Sequence, residues 1–303
     1  MGKAGSFSRR TFIETAGAAT AGLLASPYLK AAAASRTKVS AHIWVYASAY
    51  PPNWDATPVL DKIFTDLKFA GYDGVELMEV MLRHDDAVEH LLKLTKEHGI
   101  GVSGASYGAA MWDAAKHDEI LKDIEVVVPR LAAVHGVTLG ISVGDAGHSK
   151  TDAEFDAQAA ILKEISTVCG KHGIVPNLHN HTYEVANGMH DLKGTQARLP
   201  DFKLGPDLNW LIRGGVDPVT FINTYARQMV YMHLRDQYKD GTWTEYLGQG
   251  VTDFAAIAAA LKANHYEGRA AVELAFPKDF KPTKPLGEDW KLSREFVRTT
   301  FGW

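Results

Sequence analysis

Cysteine is almost missing from this chain of 303 residues. Cys169 stands alone, so no internal disulfide can form. Long apolar runs are missing too: the stretch from Ala16 to Ala25 is too short and too rich in Ala and Gly to span a bilayer. A multi-span membrane protein and a stable membrane anchor are thereby excluded. There is no excess of positive charge either. Thirty-six acidic residues face 32 Lys and Arg, for a net charge of −4, which argues against a nucleic-acid partner. Collagen, coiled coil and disorder are excluded by the same composition. What is present is an ordinary globular mixture, 46% hydrophobic and 22% charged, in a length suited to one large domain or two small ones.

The N-terminus reads as an address. Ser8-Arg9-Arg10-Thr11-Phe12-Ile13 is a twin-arginine pattern, followed by the weakly apolar stretch, Pro27 and the small-residue tract Ala31 to Ala34. Charged, apolar and small-residue regions in that order predict a signal peptide over residues 1–34, taken up by the twin-arginine export machinery. The expected location is periplasmic or secreted, and the expected domain covers residues 35–303. Loss of Lys3, Arg9, Arg10, Lys30 and Glu14 takes the net charge from −4 to −7. An exported protein without disulfides must be held by its core.

From Val39 onward, apolar strand-like runs alternate with amphipathic helical ones. Strands are expected at Val39–Tyr46, Gly74–Met78, Gly101–Tyr107, Val137–Val143, Ile174–His181, Phe202–Asp207, Met229–Arg235 and Arg269–Leu274. Helices are expected near 58–70, 85–98, 117–134, 152–172, 187–198, 217–227 and 253–264. In the 152–172 stretch, Phe155, Ala159, Leu162, Ile165, Val168 and Cys169 recur at three- and four-residue steps. His98-Gly99, His135-Gly136 and His172-Gly173 read as glycine stops at helix ends. Eight such repeats predict the α/β class and a single (β/α)8 TIM barrel, with a doubly wound open sheet as the alternative. Residues 236–252 and 275–290 are the longest irregular pieces.

Barrel chemistry sits at the C-terminal ends of the strands. Strand five ends in His179-Asn180-His181, strand six in Asp207, strand seven in His233-Leu234-Arg235-Asp236 and strand eight in Glu273. Alternation along a strand puts His179 with His181, and His233 with Arg235. If those faces are interior, His179, Asp207, His233 and Glu273 converge. Two imidazoles and two carboxylates suit a divalent metal ion, Mn2+ first, with Zn2+, Co2+ and Fe2+ open. Each residue alone would more often be structural; four at successive strand ends are harder to dismiss. His42 and Glu76 also end near the mouth, and Trp44, Tyr107 and Trp112 could line a pocket there or serve as core.

These segments resemble the sugar phosphate isomerase/epimerase family, the xylose-isomerase-like barrels, in a His-Asn-His variant. The matching pieces are Leu178–His181, Asp207–Trp210, His233–Asp236, Glu267–Glu273 and the glycine-rich turn Gly248–Phe254. The resemblance implies Asp207, His233 and Glu273 as metal ligands, and Glu273 also as an acid/base carboxylate. Many members carry Glu in place of His179. Those with His-Asn-His-x-x-Glu, matched here from His179 to Glu184, are associated with oxidised keto-sugars. Trp210 stands where a substrate-binding His is common, which suggests an apolar platform for a sugar face.

The chemistry implied is proton abstraction beside a metal-polarised carbonyl, with Glu273, His179 or His181 as base and Trp210, Arg235 and Glu184 toward substrate. The leading expectation is an isomerase or epimerase acting on a small-molecule sugar or keto-sugar. A keto-glycoside lyase or dehydratase through the same enolate, a non-catalytic sugar-binding barrel and a metallohydrolase are the alternatives, and assembly into a homo-oligomer stays open. No nucleotide cofactor is expected. Gly99-Ile-Gly101-Val-Ser-Gly104 runs from helix into strand, the reverse of a dinucleotide fingerprint. Gly140-Ile-Ser142-Val-Gly144 lacks the following helix of a nucleophile elbow.

Overall fold

A computed structural model describes residues 38–303; the expected signal peptide lies outside the described residues. Eight parallel strands succeed one another: β1 (Val39–His42), β2 (Gly74–Met78), β3 (Gly101–Gly108), β4 (Thr138–Ser142), β5 (Val175–Leu178), β6 (Lys203–Leu204), β7 (His233–Leu234) and β8 (Ala270–Glu273). The ladder runs β6-β5-β4-β3-β2-β1-β8-β7. Parallel bridges Leu204 to Met229 and Asp207 to His233 join its two ends. The sheet is therefore closed, and the open doubly wound alternative is excluded.

β2 keeps its expected bounds and β3 runs one residue further, but the other strands stop short at the C-terminal side. β5 stops at Leu178, before the His-Asn-His run, and β6 and β7 have two residues each. Val39–Tyr46 divides into β1 and a helical turn at Trp44–Ala47. Beyond those strand ends the chain continues into loops at the C-terminal mouth of the barrel. Helices Leu60–Ala70, Ala87–His98, His117–Ala133, Asp152–Lys171, Pro218–Tyr225 and Phe254–Ala263 lie where periodicity puts them. Thr182–Arg198 starts earlier than expected and is broken at Ala186–Met189, where Asn187, Gly188 and Met189 all have positive φ.

The helices pack their apolar stripes on the strands. In Asp152–Lys171 the expected Phe155, Ala159, Leu162, Ile165 and Cys169 are buried, and burial pushes the Cys169 thiol up to about 12, making it inert. Leu286–Phe301 is a helix where part of an irregular tail was expected. Trp290 from its face is fully buried and donates from Nε1 to Tyr46 Oη at 3.0 Å, while Tyr46 donates to Asp66 at 2.7 Å. That helix ties the end of the chain to Leu60–Ala70. No helix among the described residues is long and apolar enough to cross a membrane.

Candidate active site at the barrel mouth

Register builds one side of the site. His42 at the end of β1 is paired with Glu76 of β2 on one flank and with Glu273 of β8 on the other, so the three side chains form one row. On the far side of β8 the backbone bridge between Asp207 and His233 sets those two residues beside each other.

His233 links the halves. Its ring donates from Nε2 to Glu76 Oε2 at 2.8 Å and from Nδ1 to Glu273 Oε2 at 2.7 Å. Burial alone would lower its pKa, but Glu76 and Glu273 outweigh burial and raise it to about 10. Arg235 Nη2 donates to Asp207 Oδ2 at 3.0 Å and is also paired with Glu273 Oε1. Burial would push Glu273 up; Arg235, His42 and His233 together hold it well below the usual carboxylate range. It is an ionised acceptor. Burial, aided by the neighbouring His233 and His181, drives His179 well below the ordinary imidazole value, leaving a neutral ring with a lone pair.

The structure brings together His179, Asp207, His233 and Glu273, the residues expected to converge, although His179 and His181 lie beyond β5 rather than on it. His179, Asp207 and His233 each offer one ligand atom, all within 4.8 Å of one another, and Glu273 joins them through His233. Asp207 does two jobs: it caps the unexpected short helix Leu208–Arg213, with Oδ1 accepting from Asn209 N–H (2.8 Å) and Trp210 N–H (3.0 Å), and Oδ2 faces Arg235. The mixed nitrogen and oxygen set, buried at the base of an open cavity, fits a borderline divalent cation. His233 must release a proton to offer it a lone pair.

The cavity above has a volume of about 600 Å³ and is lined by His42, His179, His181, Arg235 and Glu273 together with Trp44, Trp54, Trp210 and Trp243. Tyr107 also lines it, whereas Trp112 pairs with His148 outside it. Arg235 lies over the rings of Trp210 (5.2 Å) and Trp243 (4.9 Å), which meet edge to face. Its Nε is buried and without a hydrogen-bond partner among the described residues.

Glu184 is a correction. It is buried behind the cavity, with Oε1 accepting from Val143 N–H (2.9 Å) and Ser142 Oγ (3.0 Å) and Oε2 accepting from His181 N–H. Its lone pairs are spent holding the His181 loop, so it positions a site residue instead of touching substrate. Arg235 pairs with Asp207 and Glu273 and not with its neighbour Asp236. Asp236 instead accepts from Gly248 N–H (3.0 Å) and Gly250 N–H (2.8 Å), pinning the glycine-rich turn. A Cβ on Gly250 would fall 2.2 Å from Gln237 O, hence glycine. Trp54 and Trp243 were missed because they sit in irregular loops without periodicity; two tryptophans in loops near strand ends were the available signal.

This closed barrel with its polar cluster at the C-terminal mouth defines a class, and the sequence agrees. The model of the xylose isomerase-like TIM barrel family matches residues 64–300, and the chain belongs to that family. Similar solved structures include a sugar phosphate isomerase/epimerase from Parabacteroides distasonis (15% identity, TM-score 0.69, covering 88% of this chain and 96% of that one). Others are D-allulose 3-epimerase from Methylomonas sp. (19%, 0.69, 88% and 98%) and 3-keto-D-glucoside 4-epimerase from E. coli (18%, 0.68, 87% and 100%). A comparison by sequence with curated proteins gives no match.

Proposed function

We propose that this protein is a metal-dependent isomerase or epimerase of a sugar or keto-sugar, working by proton transfer at the carbon next to a carbonyl. The convergence of His179, Asp207 and His233 within 4.8 Å, with Glu273 at 2.7 Å from His233, carries the reading. Solved structures of the same fold named as sugar epimerases support it. His179, Asp207, His233 and Glu273 would hold the cation, Mn2+ first among Zn2+, Co2+ and Fe2+. When bound, a divalent cation supplies a Lewis acid that stabilises negative charge on a carbonyl oxygen by several kcal/mol.

The chain does the rest. Glu273 lines the cavity as an ionised carboxylate and is the group that would take the C–H proton. Arg235 lines the cavity with its guanidinium beside the indoles of Trp210 and Trp243, which receive the apolar face of a sugar. His181, held by Glu184, stands 5.6 Å from the Trp210 ring as a second group able to move a proton. Return of the proton to the other carbon gives isomerisation, and return to the opposite face gives epimerisation. The twin-arginine pattern supports substrates met outside the cytoplasm, hence unphosphorylated sugars.

The test is wash-in of solvent deuterium. Wild-type protein loaded with Mn2+, incubated in D2O with D-allulose or a 3-keto-D-glucoside, is expected to place deuterium at the carbon beside the carbonyl. Glu273→Gln should lower that rate by about 10²-fold or more. Undiminished exchange in Glu273→Gln, or none in the wild type, would overturn the assignment.

A further inference from the structure

Trp54 is an anomaly for its fold. Its φ is +57°, a left-handed conformation that strains an L-residue with a bulky side chain. It also leaves 36% of its surface exposed, so part of the indole stands clear of the core. The same ring lines the cavity and lies against Trp44, centroids 5.4 Å apart and planes 55° from each other. An indole held in strain at the rim of a cavity, with a second indole beside it, is placed for a ligand more than for the core.

The two aromatic pairs occupy different parts of the mouth. Trp210 and Trp243 follow β6 and β7, beside Asp207 and His233. Trp44 and Trp54 follow β1, with β8 and its Glu273 lying between the two sets in the barrel order. The Trp210–Trp243 wall, with Arg235, flanks the ligand cluster and serves the ring that reacts. The cavity of about 600 Å³ lies in the middle of the range of ~300–1,000 Å³ that takes drug-sized ligands, so a lone monosaccharide leaves much of it empty.

We propose that Trp44 and Trp54 form a second subsite that binds the neighbouring pyranose ring of a glycoside, so that the protein acts on a disaccharide-sized substrate rather than a free monosaccharide. This rests on the sugar reading above and narrows it. The C–H face of a pyranose is apolar and flat enough to lie on an indole, while its hydroxyls stay in water at the open rim. The pair is tilted rather than parallel, so the two indoles turn their faces in different directions, and both line the cavity.

The experiment is calorimetric titration of the full chain, loaded with Mn2+, with D-glucose, cellobiose, maltose and trehalose. At least one disaccharide should bind about tenfold or more tighter than glucose, equivalent to ~1.4 kcal/mol. Trp54→Gly removes the ring and suits the positive φ, so the fold is kept. It should bring disaccharide affinity down to that of glucose without changing glucose binding, and Trp54→Phe should restore most of it. No disaccharide preference in the wild type, or an equal loss for glucose and disaccharide in Trp54→Gly, would overturn the subsite. Absence of deuterium wash-in with intact disaccharide preference would instead remove the catalytic reading and leave the subsite standing.

Discussion

At the residue scale, the orientation of His233 is set from behind. Glu76 Oε2 holds Nε2 at 2.8 Å, so the ring cannot rotate, and Nδ1 is aimed at Glu273 and the ligand cluster. A carboxylate behind a ligating imidazole fixes its direction and raises its basicity, and loss of such a partner typically costs about 10- to 100-fold in metal affinity. Glu76→Gln is therefore expected to weaken Mn2+ binding by that factor while the far-ultraviolet circular dichroism spectrum stays unchanged. Equal affinities in titrations of the two proteins would refute the role. A second buried acid behaves differently. Asp289 is fully buried and neither carboxylate oxygen has a partner among the described residues. Burial, with the nearby Glu245 adding to it, raises its pKa to about 7. The folded state thus keeps a proton that the unfolded chain gives up, and this contribution to stability is full below about pH 4 and lost as pH rises through about 7. Asp289→Asn cannot lose that proton. Its Tm should gain on the wild type as pH goes from about 5 to about 8; two melting curves that shift in parallel across that range would count against the assignment.

At the element scale, helix periodicity is what made most of the fold legible, and two kinds of position escaped it. Leu286–Phe301 buries Asp289, Ser293 and Arg294 along with Trp290 and Val297, so its inner face does not read as an apolar stripe. β6 ends at Leu204, before Gly205-Pro206, and β7 at Leu234, with Asp207 kept only as an isolated bridge to His233; the apolar runs extend past the continuous ladder. The four candidate ligands were nonetheless readable, because residue type and strand order carry that information even when the strand ends early. The glycine stops were only partly so. Gly99 and Gly173 adopt positive φ as expected (69° and 70°), but at His135-Gly136 the left-handed residue is His135, at 66°. Gly136 is there for space, since a Cβ would come within 2.3 Å of Leu131 Cδ1. His135 is exposed and takes the position glycine favours after a helix. His135→Gly should accordingly stabilise the protein by about 1 kcal/mol, read as a higher urea midpoint with an unchanged m-value. A lower midpoint would mean that the His135 ring contributes more than the strain costs.

At the scale of the whole molecule, the barrel has a weak seam, and the candidate ligands lie across it. β2 and β3 are paired along most of their length, from Gly74 with Gly101 to Met78 with Ser106. Between β6 and β7, among the described residues, only the bridges Leu204 to Met229 and Asp207 to His233 close the sheet. Local opening should begin where the ladder is thinnest. Asp207 belongs to one side of that seam and His233 to the other, while His179 and Glu273 flank it from β5 and β8. A cation shared by these four would staple the seam, and because it binds only the folded arrangement it would stabilise by ~2.7 kcal/mol at a hundredfold excess over its dissociation constant. Mn2+ added to chelator-treated protein is therefore expected to raise Tm and to slow amide exchange at residues 203–207 and 229–234 far more than in β2 and β3. Asp207→Ala should lose both effects, whereas a substitution on the opposite side of the barrel should keep them. If Mn2+ slowed exchange evenly around the barrel, or left Tm unchanged in the wild type, the cation would not be bridging β6 to β7, and closure would rest on the surrounding helices alone.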